Sequence, residues 1–312
     1  MALRERERLG HGARGGKGRK VRELVIVSGK GGTGKTSVTA SFAAPADRAV
    51  VADCDVDAAD THPVLSPRVM EWNEFRSGHQ GVIRQADCSG CGECLQNCRF
   101  NAVRRDGAAG AEPAFRVDAA ACDGCGLCVR YCPENAIGFP ERLCGEWMIS
   151  ETRCGPMVHA WLGVAAENSG KLASTVRREA RLIVLEQGRS TVLVDGPPGI
   201  GCPVIASVTG ASLALVVTEP TLSGEHDLQR VLALTQHFEM PAAVCVNKWD
   251  INAEMTARIE TGAMAGGAWI AGRIRYENGI KVVLGASAEI PQPLVTAYME
   301  GTLQTGENAC DH

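Results

Sequence analysis

Eight cysteines occur in two copies of one spacing near the middle of a chain of 312 residues. The two copies are Cys88, Cys91, Cys94 and Cys98, and then Cys122, Cys125, Cys128 and Cys132. Each copy reads C-x2-C-x2-C-x3-C, and thiolates with this spacing are able to hold 4Fe–4S centres. Zinc sites usually pair one C-x2-C with a second pair some distance away. The spacing therefore predicts iron–sulfur centres and fits zinc poorly.

The order of the cysteines also predicts which of them share a centre. Three closely spaced cysteines bind three corners of one cubane, while the fourth reaches the other cubane. We therefore expect two 4Fe–4S centres, each with four protein thiolates. The predicted ligands are Cys88, Cys91, Cys94 and Cys132 for the first centre, and Cys122, Cys125, Cys128 and Cys98 for the second.

A phosphate-binding motif lies upstream of the cysteines. It reads G-x-x-x-x-G-K-[ST] and consists of Gly29, Lys30, Gly31, Gly32, Thr33, Gly34, Lys35 and Thr36. Glycines are needed because backbone N–H groups must approach phosphate oxygens closely, and a side chain would block them. Lys35 is placed to neutralise the outer phosphates, and the Thr36 hydroxyl is placed to hold Mg²⁺. The motif predicts a bound nucleotide with Mg²⁺.

Lys30 is a second cation in this loop, and an ordinary P-loop does not require it. It cannot easily reach the phosphates bound by its own subunit. Across a dimer interface it could act on the partner's nucleotide, as an arginine finger does. The alternative is a solvated surface lysine.

Polar residues follow three predicted strands downstream of the loop. Asp195 closes one strand, where a second carboxylate near Mg²⁺ is expected. Asp53, Asp55 and Asp57 cluster at another strand end, on the edge where ligands bind in open α/β sheets. Clustered carboxylates repel one another, which favours a role in holding a cation or positioning water.

Asn247 and Lys248 end a further strand, where they could contact the base of the nucleotide. Helix capping by the asparagine is the competing interpretation. Six cysteines remain outside the repeats: Cys54, Cys144, Cys154, Cys202, Cys245 and Cys310. We expect Cys54 and Cys245 to be small buried apolar residues, and Cys144 and Cys154 to frame a hairpin. His159 has no partner at ligand spacing, which favours a structural or substrate-facing role over metal binding.

Strands alternate with helices on both sides of the cysteine repeats. Predicted strands cover residues 23–27, 49–52, 192–195, 213–218, 242–246 and 269–274, and predicted helices cover 36–44, 223–238, 254–262 and 293–301. This alternation predicts an α/β fold with a mostly parallel sheet and helices on both of its faces.

The repeats interrupt that pattern and predict a discontinuous P-loop NTPase domain. Its two parts are residues 23–85 and 138–312, and an inserted α+β ferredoxin domain covers residues 86–137. Residues 1–22 are rich in arginine, lysine and glycine and are predicted to be a disordered basic tail.

Composition excludes several classes of protein. The net charge is −4 and aromatic residues make up 4%, so neither bulk attraction to nucleic acid nor a base-stacking surface is expected. No apolar run of about 18 residues predicts a membrane span. The first residues lack the apolar region of a secretory signal, and tight C-x2-C spacing indicates metal binding. We therefore expect a reducing cytoplasm.

Taken together, these motifs resemble those of the MinD/Mrp-like, deviant-Walker-A P-loop ATPases, and within them the members with an inserted two-cluster ferredoxin domain. The segments that carry the resemblance are Gly29–Thr36, Asp53–Asp57, the cysteine repeats, Asp195–Ser207 and Asn247–Asp250, with 155–160 and 168–172 in addition.

The resemblance implies an ATP-sandwich dimer in which Lys30 acts in trans. It also implies that Asp55 orients the attacking water, that Asp195 lies in the Mg²⁺ shell and that Asn247 lies near adenine. One departure is the lack of the C-terminal C-x-x-C found in many Mrp-type scaffold proteins, which weakens the case for a cluster that bridges subunits.

Three functions fit these observations. The first is an ATP-hydrolysing protein that couples a nucleotide-driven conformational or dimer switch to electron transfer through two 4Fe–4S clusters. The second is an assembly factor that hands an iron–sulfur cluster or metal to a client. The third is a non-redox positioning ATPase of the MinD/ParA type. Four thiolates per centre leave no open position, which favours cluster retention and the first function. The expected partners are a second copy or a related ATPase, and a redox partner or apo-protein client.

Overall fold

The computed structural model describes residues 21–44, 49–56, 64–106, 114–163 and 169–276. Within these ranges the chain forms two compact units. The first unit takes in the described residues up to Trp72, residues 147–161 and those from Ser169 onward; the second takes in 73–146 and the described residues of 162–168. Nearly all of the predicted basic tail lies outside the described residues, as do Asp57, Cys310 and the helix predicted over 293–301.

A nine-stranded sheet runs through the structure, with strands numbered along the chain. Its strands are β1 (Arg22–Ser28), β2 (Ala49–Asp53), β3 (Arg68–His79), β8 (Glu141–Thr152), β9 (Gly155–Leu162), β10 (Thr191–Pro198), β11 (Leu213–Thr218), β12 (Ala242–Asn247) and β13 (Trp269–Ile274). Their order is β13-β12-β11-β1-β10-β2-β9-β8-β3. Every neighbouring pair from β13 to β9 is parallel. The predicted mostly parallel α/β sheet is confirmed.

Both faces of the central strands are buried, which explains why their sequences are nearly continuous apolar runs. Leu24 and Ile26 of β1 belong to one buried cluster with Val38, whereas Val25 and Val27 alternate onto the opposite face and are equally buried. Five α-helices of this unit lie wholly within the described residues: α1 (Lys35–Ala43), α4 (Ser169–Glu186), α5 (Cys202–Val208), α6 (Leu222–His237) and α7 (Ala253–Ala265). Parallel strands covered on both faces are expected to be this apolar.

The predicted starts of two helices lie within one residue of the observed starts, and a capping residue precedes each helix. Thr221 precedes α6, and its side chain accepts a hydrogen bond from the Gly224 N–H. Asn252 precedes α7 and accepts from the Met255 N–H in the same way. Each cap satisfies a backbone donor that the helix itself leaves without a partner.

Among its described residues, the second unit has four short strands and two short α-helices of its own, arranged as two similar halves. These elements are β4 (Val82–Ile83), α2 (Glu93–Gln96), β5 (Val103–Asp106), β6 (Ala114–Val117), α3 (Leu127–Arg130) and β7 (Ile137–Gly138). β4 pairs with β7 and β5 pairs with β6, both antiparallel. The inserted α+β unit expected from the cysteine repeats is therefore present.

This unit is larger than the predicted insertion of 86–137. It also includes the end of β3 and the start of β8, because the chain passes from one unit to the other within these two strands. β3 was not predicted, and the hairpin predicted between Cys144 and Cys154 is instead formed by β8 and β9, with Cys154 in the turn between them. Burial alternates along β3 from residue 71 to 77, but Glu71, Asn73 and Ser77 occupy the less exposed positions, so no alternation of apolar and polar residues marks the strand in the sequence.

Candidate nucleotide and iron–sulfur sites

The loop of residues 29–34 joins β1 to α1, which is the strand–loop–helix context that a P-loop needs. Gly34 stands directly before α1 with φ of 90°, a left-handed conformation that favours glycine. At Gly29, a Cβ atom would lie only 2.4 Å from Cβ of Asp227 on α6. The glycines thus allow both the turn into the helix and close packing of the loop.

Lys35 lies in a buried cluster of opposite charges. Its Nζ is 2.9 Å from Oδ1 of Asp195 and 3.4 Å from Oδ2 of Asp55. Burial by itself lowers the pKa of Lys35, but the charges of Asp195 and Asp55 outweigh it, so the pKa is raised. The lysine therefore remains a cation at the N-terminus of α1, where the helix dipole also favours bound anions.

Asp195 collects three donors from α1. Besides Lys35, it accepts hydrogen bonds from the hydroxyls of Thr36 at 2.8 Å and Thr39 at 3.1 Å. The structure thus brings together the lysine, hydroxyl and carboxylate that the sequence assigned to phosphate and Mg²⁺. The contact from Thr39 was not predicted, although its spacing of four residues from Lys35 on a helix could have indicated it.

Asp53 lies beneath this cluster at the end of β2 and is only 4% exposed. Its carboxylate accepts a hydrogen bond from the Asp55 N–H at 3.1 Å. Burial, and next the charge of Asp195, hold the pKa of Asp53 well above its ordinary value. Asp55 is the better placed of the two to face a ligand, because its side chain reaches Lys35.

Asn247 contacts the loop itself. Its Nδ2 donates to the Thr33 carbonyl at 2.8 Å, and a Cβ atom on Gly34 would lie 2.4 Å from that nitrogen. The Thr33 hydroxyl is buried and has no hydrogen-bond partner among the described residues. A buried hydroxyl without a partner inside a phosphate-binding loop fits a ligand that supplies acceptors.

Lys30 points away from the buried cluster. Its Nζ donates to Oγ of Ser223 at 3.3 Å and lies 4.0 Å from Oε1 of Glu219. About one third of its side chain is exposed. Glu219 also pairs with Lys248 at 3.4 Å, and neither Glu219 nor Ser223 was predicted as part of the site. Glu219 directly follows a predicted strand, which is the signal that could have found it.

The eight repeat cysteines line two cavities in the second unit, and the fourth cysteine of each repeat lines the cavity of the other repeat. The first cavity is lined by Cys88, Cys91, Cys94 and Cys132, and the second by Cys98, Cys122, Cys125 and Cys128. Each cavity therefore has four thiols from both repeats. These are the groupings that the spacing predicted, while the ligand assignment itself stays a prediction.

Backbone N–H groups point at the fourth cysteine of each repeat. The Ala102 N–H lies 3.2 Å from Sγ of Cys98, and the Ala136 N–H lies 3.3 Å from Sγ of Cys132. Burial raises the pKa of Cys98, but several backbone N–H groups more than offset it, so the pKa is lowered. These donors stabilise the thiolate, which is the form that binds iron.

The donor set fits a cubane better than a single ion. Burial, followed by the charge of Cys88, raises the pKa of Cys94 to about 11, so a cation is needed to keep that thiolate ionised. Among the described residues, no three His, Cys, Asp or Glu side chains lie close enough to share one metal ion. A zinc site would need such a group.

The other cysteines and His159 do not form a further site in the described part of the chain. Cys54 and Cys245 are completely buried, as expected, and burial raises the pKa of Cys245 to about 12. Cys144 lies inside β8 and donates to the Ser77 carbonyl, so it does not frame a hairpin. His159 is buried, with Nε2 2.7 Å from Oγ of Ser150.

Comparison with known proteins agrees with the second unit. Residues 81–139 match the family model described as a 4Fe-4S dicluster domain. Over 236 residues the chain is 33% identical to the uncharacterized protein MJ0578 of Methanocaldococcus jannaschii, covering 74% of this chain and 80% of that protein. The predicted 4Fe–4S unit is confirmed over residues 81–139.

Among solved structures, the chain is similar to the MinC:MinD cell division protein complex of Aquifex aeolicus, with 20% identity, 82% of both chains covered and a TM-score of 0.45. It is also similar to the septum site-determining protein MinD complexed with Mg-ADP from Pyrococcus horikoshii, with 16% identity, 83% and 82% covered and a TM-score of 0.46. Among the described helices, none is both long and apolar enough to cross a membrane.

Proposed function

This chain belongs to the same protein family as the uncharacterized protein MJ0578 of Methanocaldococcus jannaschii, and on that premise we propose that it is an ATP-hydrolysing electron-transfer protein. In this proposal, nucleotide binding drives a conformational or dimer switch, and electrons pass through two 4Fe–4S centres. The observation that carries it is the presence, in one chain, of a P-loop charge cluster and two quartets of thiols.

The nucleotide half of the proposal depends on the residues around Lys35. Lys35 would bind the outer phosphates, and Thr36 with Asp195 would hold Mg²⁺, since the Thr36 hydroxyl and the Asp195 carboxylate already lie 2.8 Å apart. Asp55 would orient the attacking water. Asn247 would lie near adenine while its side chain donates a hydrogen bond to the Thr33 carbonyl. The unpartnered Thr33 hydroxyl supports a ligand at this loop.

A dimer is proposed because of Lys30. In the described structure its ammonium group contacts Ser223 and Glu219 on the β11–α6 side, away from Lys35. A cation that is one third exposed and directed outward can reach a nucleotide bound by a second subunit. We therefore propose that Lys30 acts in trans on the partner's phosphates, in a homodimer or a heterodimer with a related ATPase.

The redox half depends on the two thiol quartets. We assign Cys88, Cys91, Cys94 and Cys132 to the first centre and Cys98, Cys122, Cys125 and Cys128 to the second. When bound, such centres supply one-electron chemistry. The backbone donors at Cys98 and Cys132 stabilise negative charge on sulfur, which is a lever on reduction potential. All 13 described cysteines are free, which supports a reducing compartment such as the cytoplasm.

The alternative function is assembly of an iron–sulfur cluster or metallocofactor, with ATP controlling release to an apo-protein client. It requires clusters that leave the protein readily. Four thiolates per centre, one of them from the other repeat, favour retention instead. Electron transfer to a redox partner is therefore the stronger candidate.

The first test is the metal content of anaerobically purified full-length protein, together with its binding of Mg²⁺ and ATP. We expect about eight iron and eight sulfide per chain, the content of two cubanes, and retention of both after incubation with an apo-ferredoxin acceptor. Colourless protein filled with zinc would contradict the redox proposal. Transfer of most of the iron to the acceptor would support assembly instead.

A further inference from the structure

The two thiol cavities of the second unit are packed against different residues. The repeats are offset by 34 residues, from Cys88 to Cys122, so that Gly81 before the first repeat corresponds to Phe115 before the second. Phe115 is buried, lines the first cavity and packs 3.7 Å from the Cβ position of Gly92. It lies on β6, which belongs wholly to the inserted unit.

At the second cavity the equivalent position is a glycine. A Cβ atom on Gly81 would lie 3.2 Å from Sγ of Cys128, so there is no room for a ring there. Phe139 covers this side instead: it lines the second cavity, and its ring lies 3.4 Å from the Cβ position of Gly126. Phe139 in turn stacks on His79, with ring centroids 4.9 Å apart and planes inclined by 18°.

The loop that carries the second cysteine triplet also packs against the backbone of His79. Gly124 has φ of 69°, and a Cβ atom there would lie 2.4 Å from the His79 carbonyl oxygen. Only glycine allows this approach, because both the backbone conformation and the space exclude a side chain. The segment 79–81 therefore touches the second centre through Gly124, Phe139 and Cys128.

His79 is the last residue of β3, and β3 is the strand along which the chain enters the inserted unit. We propose that His79–Gly81 is a positioning segment for the second 4Fe–4S centre and not for the first. The segment sets the packing and hydrogen bonding around that centre, and both of these change its reduction potential. A displacement along β3 therefore alters the second centre and leaves the first unchanged.

This inference rests on the ligand sets given under the proposed function. The test distinguishes failure of the positioning role of His79–Gly81 from failure of those ligand sets. In full-length protein, Cys125→Ser and Cys91→Ser leave one centre each and so identify the two signals in a redox titration followed by electron paramagnetic resonance. The variants are then His79→Ala and Gly124→Ala. Gly90→Ala is the matched control, because Gly90 occupies the same place in the first repeat with φ of 71°.

We expect His79→Ala to shift the midpoint potential of the second centre alone, and Gly124→Ala to shift it or to lose that centre alone. Gly90→Ala should affect only the first centre. If both centres are present and His79→Ala moves neither potential, or moves both equally, the inference is overturned. If the single-centre variants show no 4Fe–4S signal, it is the proposed function that fails. His79 is exposed, so its variant keeps the test valid if Gly124→Ala does not fold.

Discussion

The two units of this protein build their sites in opposite ways. Around the P-loop, the chain neutralises its own buried charges: Lys35 pairs with Asp195 and Asp55. In the inserted unit, the small apolar cluster consists of Cys94, Val103, Phe115 and Ile137, and several other repeat cysteines pack against it. There the proposed ligands of iron are themselves part of the core.

This difference predicts how each unit depends on its ligand. The nucleotide unit has a large apolar core of its own under the sheet, so it should fold without nucleotide. The inserted unit has a core of few residues, and small domains of this kind usually need a metal centre for stability. Nucleotide is therefore expected to act as a switch, whereas iron and sulfide are expected to be structural as well as redox-active.

The largest expected effect is a loss of ATP affinity that leaves the iron content unchanged. Lys35→Ala removes the cation proposed to bind the outer phosphates, and charge-assisted hydrogen bonds of this kind contribute about 1.5–3 kcal/mol each. With two such bonds lost, the affinity for ATP should fall at least ~100-fold. Iron content should not change. Isothermal titration and iron analysis on the same preparation measure both.

The control for that variant is thermal unfolding, because loss of Lys35 leaves the buried Asp195 without its ion-pair partner. A folded Lys35→Ala protein that still bound ATP as the wild type does would contradict the assignment of this lysine.

Lys30→Ala should leave ATP affinity within about threefold of the wild type, because Lys30 lies outside the cluster around Lys35. Hydrolysis should fall at least ~100-fold, since a cation supplied in trans stabilises charge that develops in the transition state. Steady-state hydrolysis and equilibrium binding together measure the effect. Equal loss of binding in Lys30→Ala and Lys35→Ala would rule out a role in trans.

In the inserted unit, Cys91→Ser should lose about half of the iron, because it removes a proposed ligand of one of two centres. Nucleotide affinity should be retained. Cys132→Ser should lose the same centre as Cys91→Ser, although it lies in the other repeat. Cys202→Ser, at an exposed cysteine outside the quartets, is the control and should keep all of the iron. Unchanged iron in Cys91→Ser would exclude it as a ligand.

The smallest expected effect concerns Asp53. Because burial and the charge of Asp195 raise its pKa, ionised Asp53 lowers the stability of the folded state as pH rises above the ordinary carboxyl pKa. Asp53→Asn keeps an acceptor for the Asp55 N–H and removes that cost. Its Tm should exceed that of the wild type by roughly 2–4 °C at neutral pH, the shift for about 1 kcal/mol.

The difference in Tm should disappear as pH falls below about 4, where both states of the wild type bind the proton. Scanning calorimetry at several pH values measures it. A lower Tm for Asp53→Asn at every pH would show that the charge of Asp53 stabilises the fold.

Sequence patterns predicted the residues whose chemistry needs a fixed local spacing. Lys35 and Thr36 follow the glycine loop because phosphate binding needs a helix N-terminus directly after it. The crossing of Cys98 and Cys132 to the opposite cavities was also predicted, because in this spacing three close cysteines bind one cubane and the fourth reaches the other. Asp195 was found because an apolar strand ends at it.

Contacts between distant segments could not be predicted in this way. Burial alternates along β3, but the less exposed positions Glu71, Asn73 and Ser77 are polar, so both the strand and the role of His79 were missed. Phe139 lines the second cavity by packing against Gly126, 13 residues away, and it stacks on His79, 60 residues away. The contact of Asn247 with Thr33 likewise depends on the order of strands in the sheet. Such details arise from packing between elements, about which local patterns carry no information.

The most direct test of coupling between nucleotide and iron–sulfur centres is a redox titration of the anaerobically purified protein with and without Mg²⁺ and ATP. Lys35→Ala is the control, used at an ATP concentration that saturates the wild type but not this variant. Coupling predicts that ATP shifts at least one midpoint potential in the wild type and none in Lys35→Ala. Identical potentials with and without ATP, in protein shown to bind it, would contradict ATP-driven electron transfer.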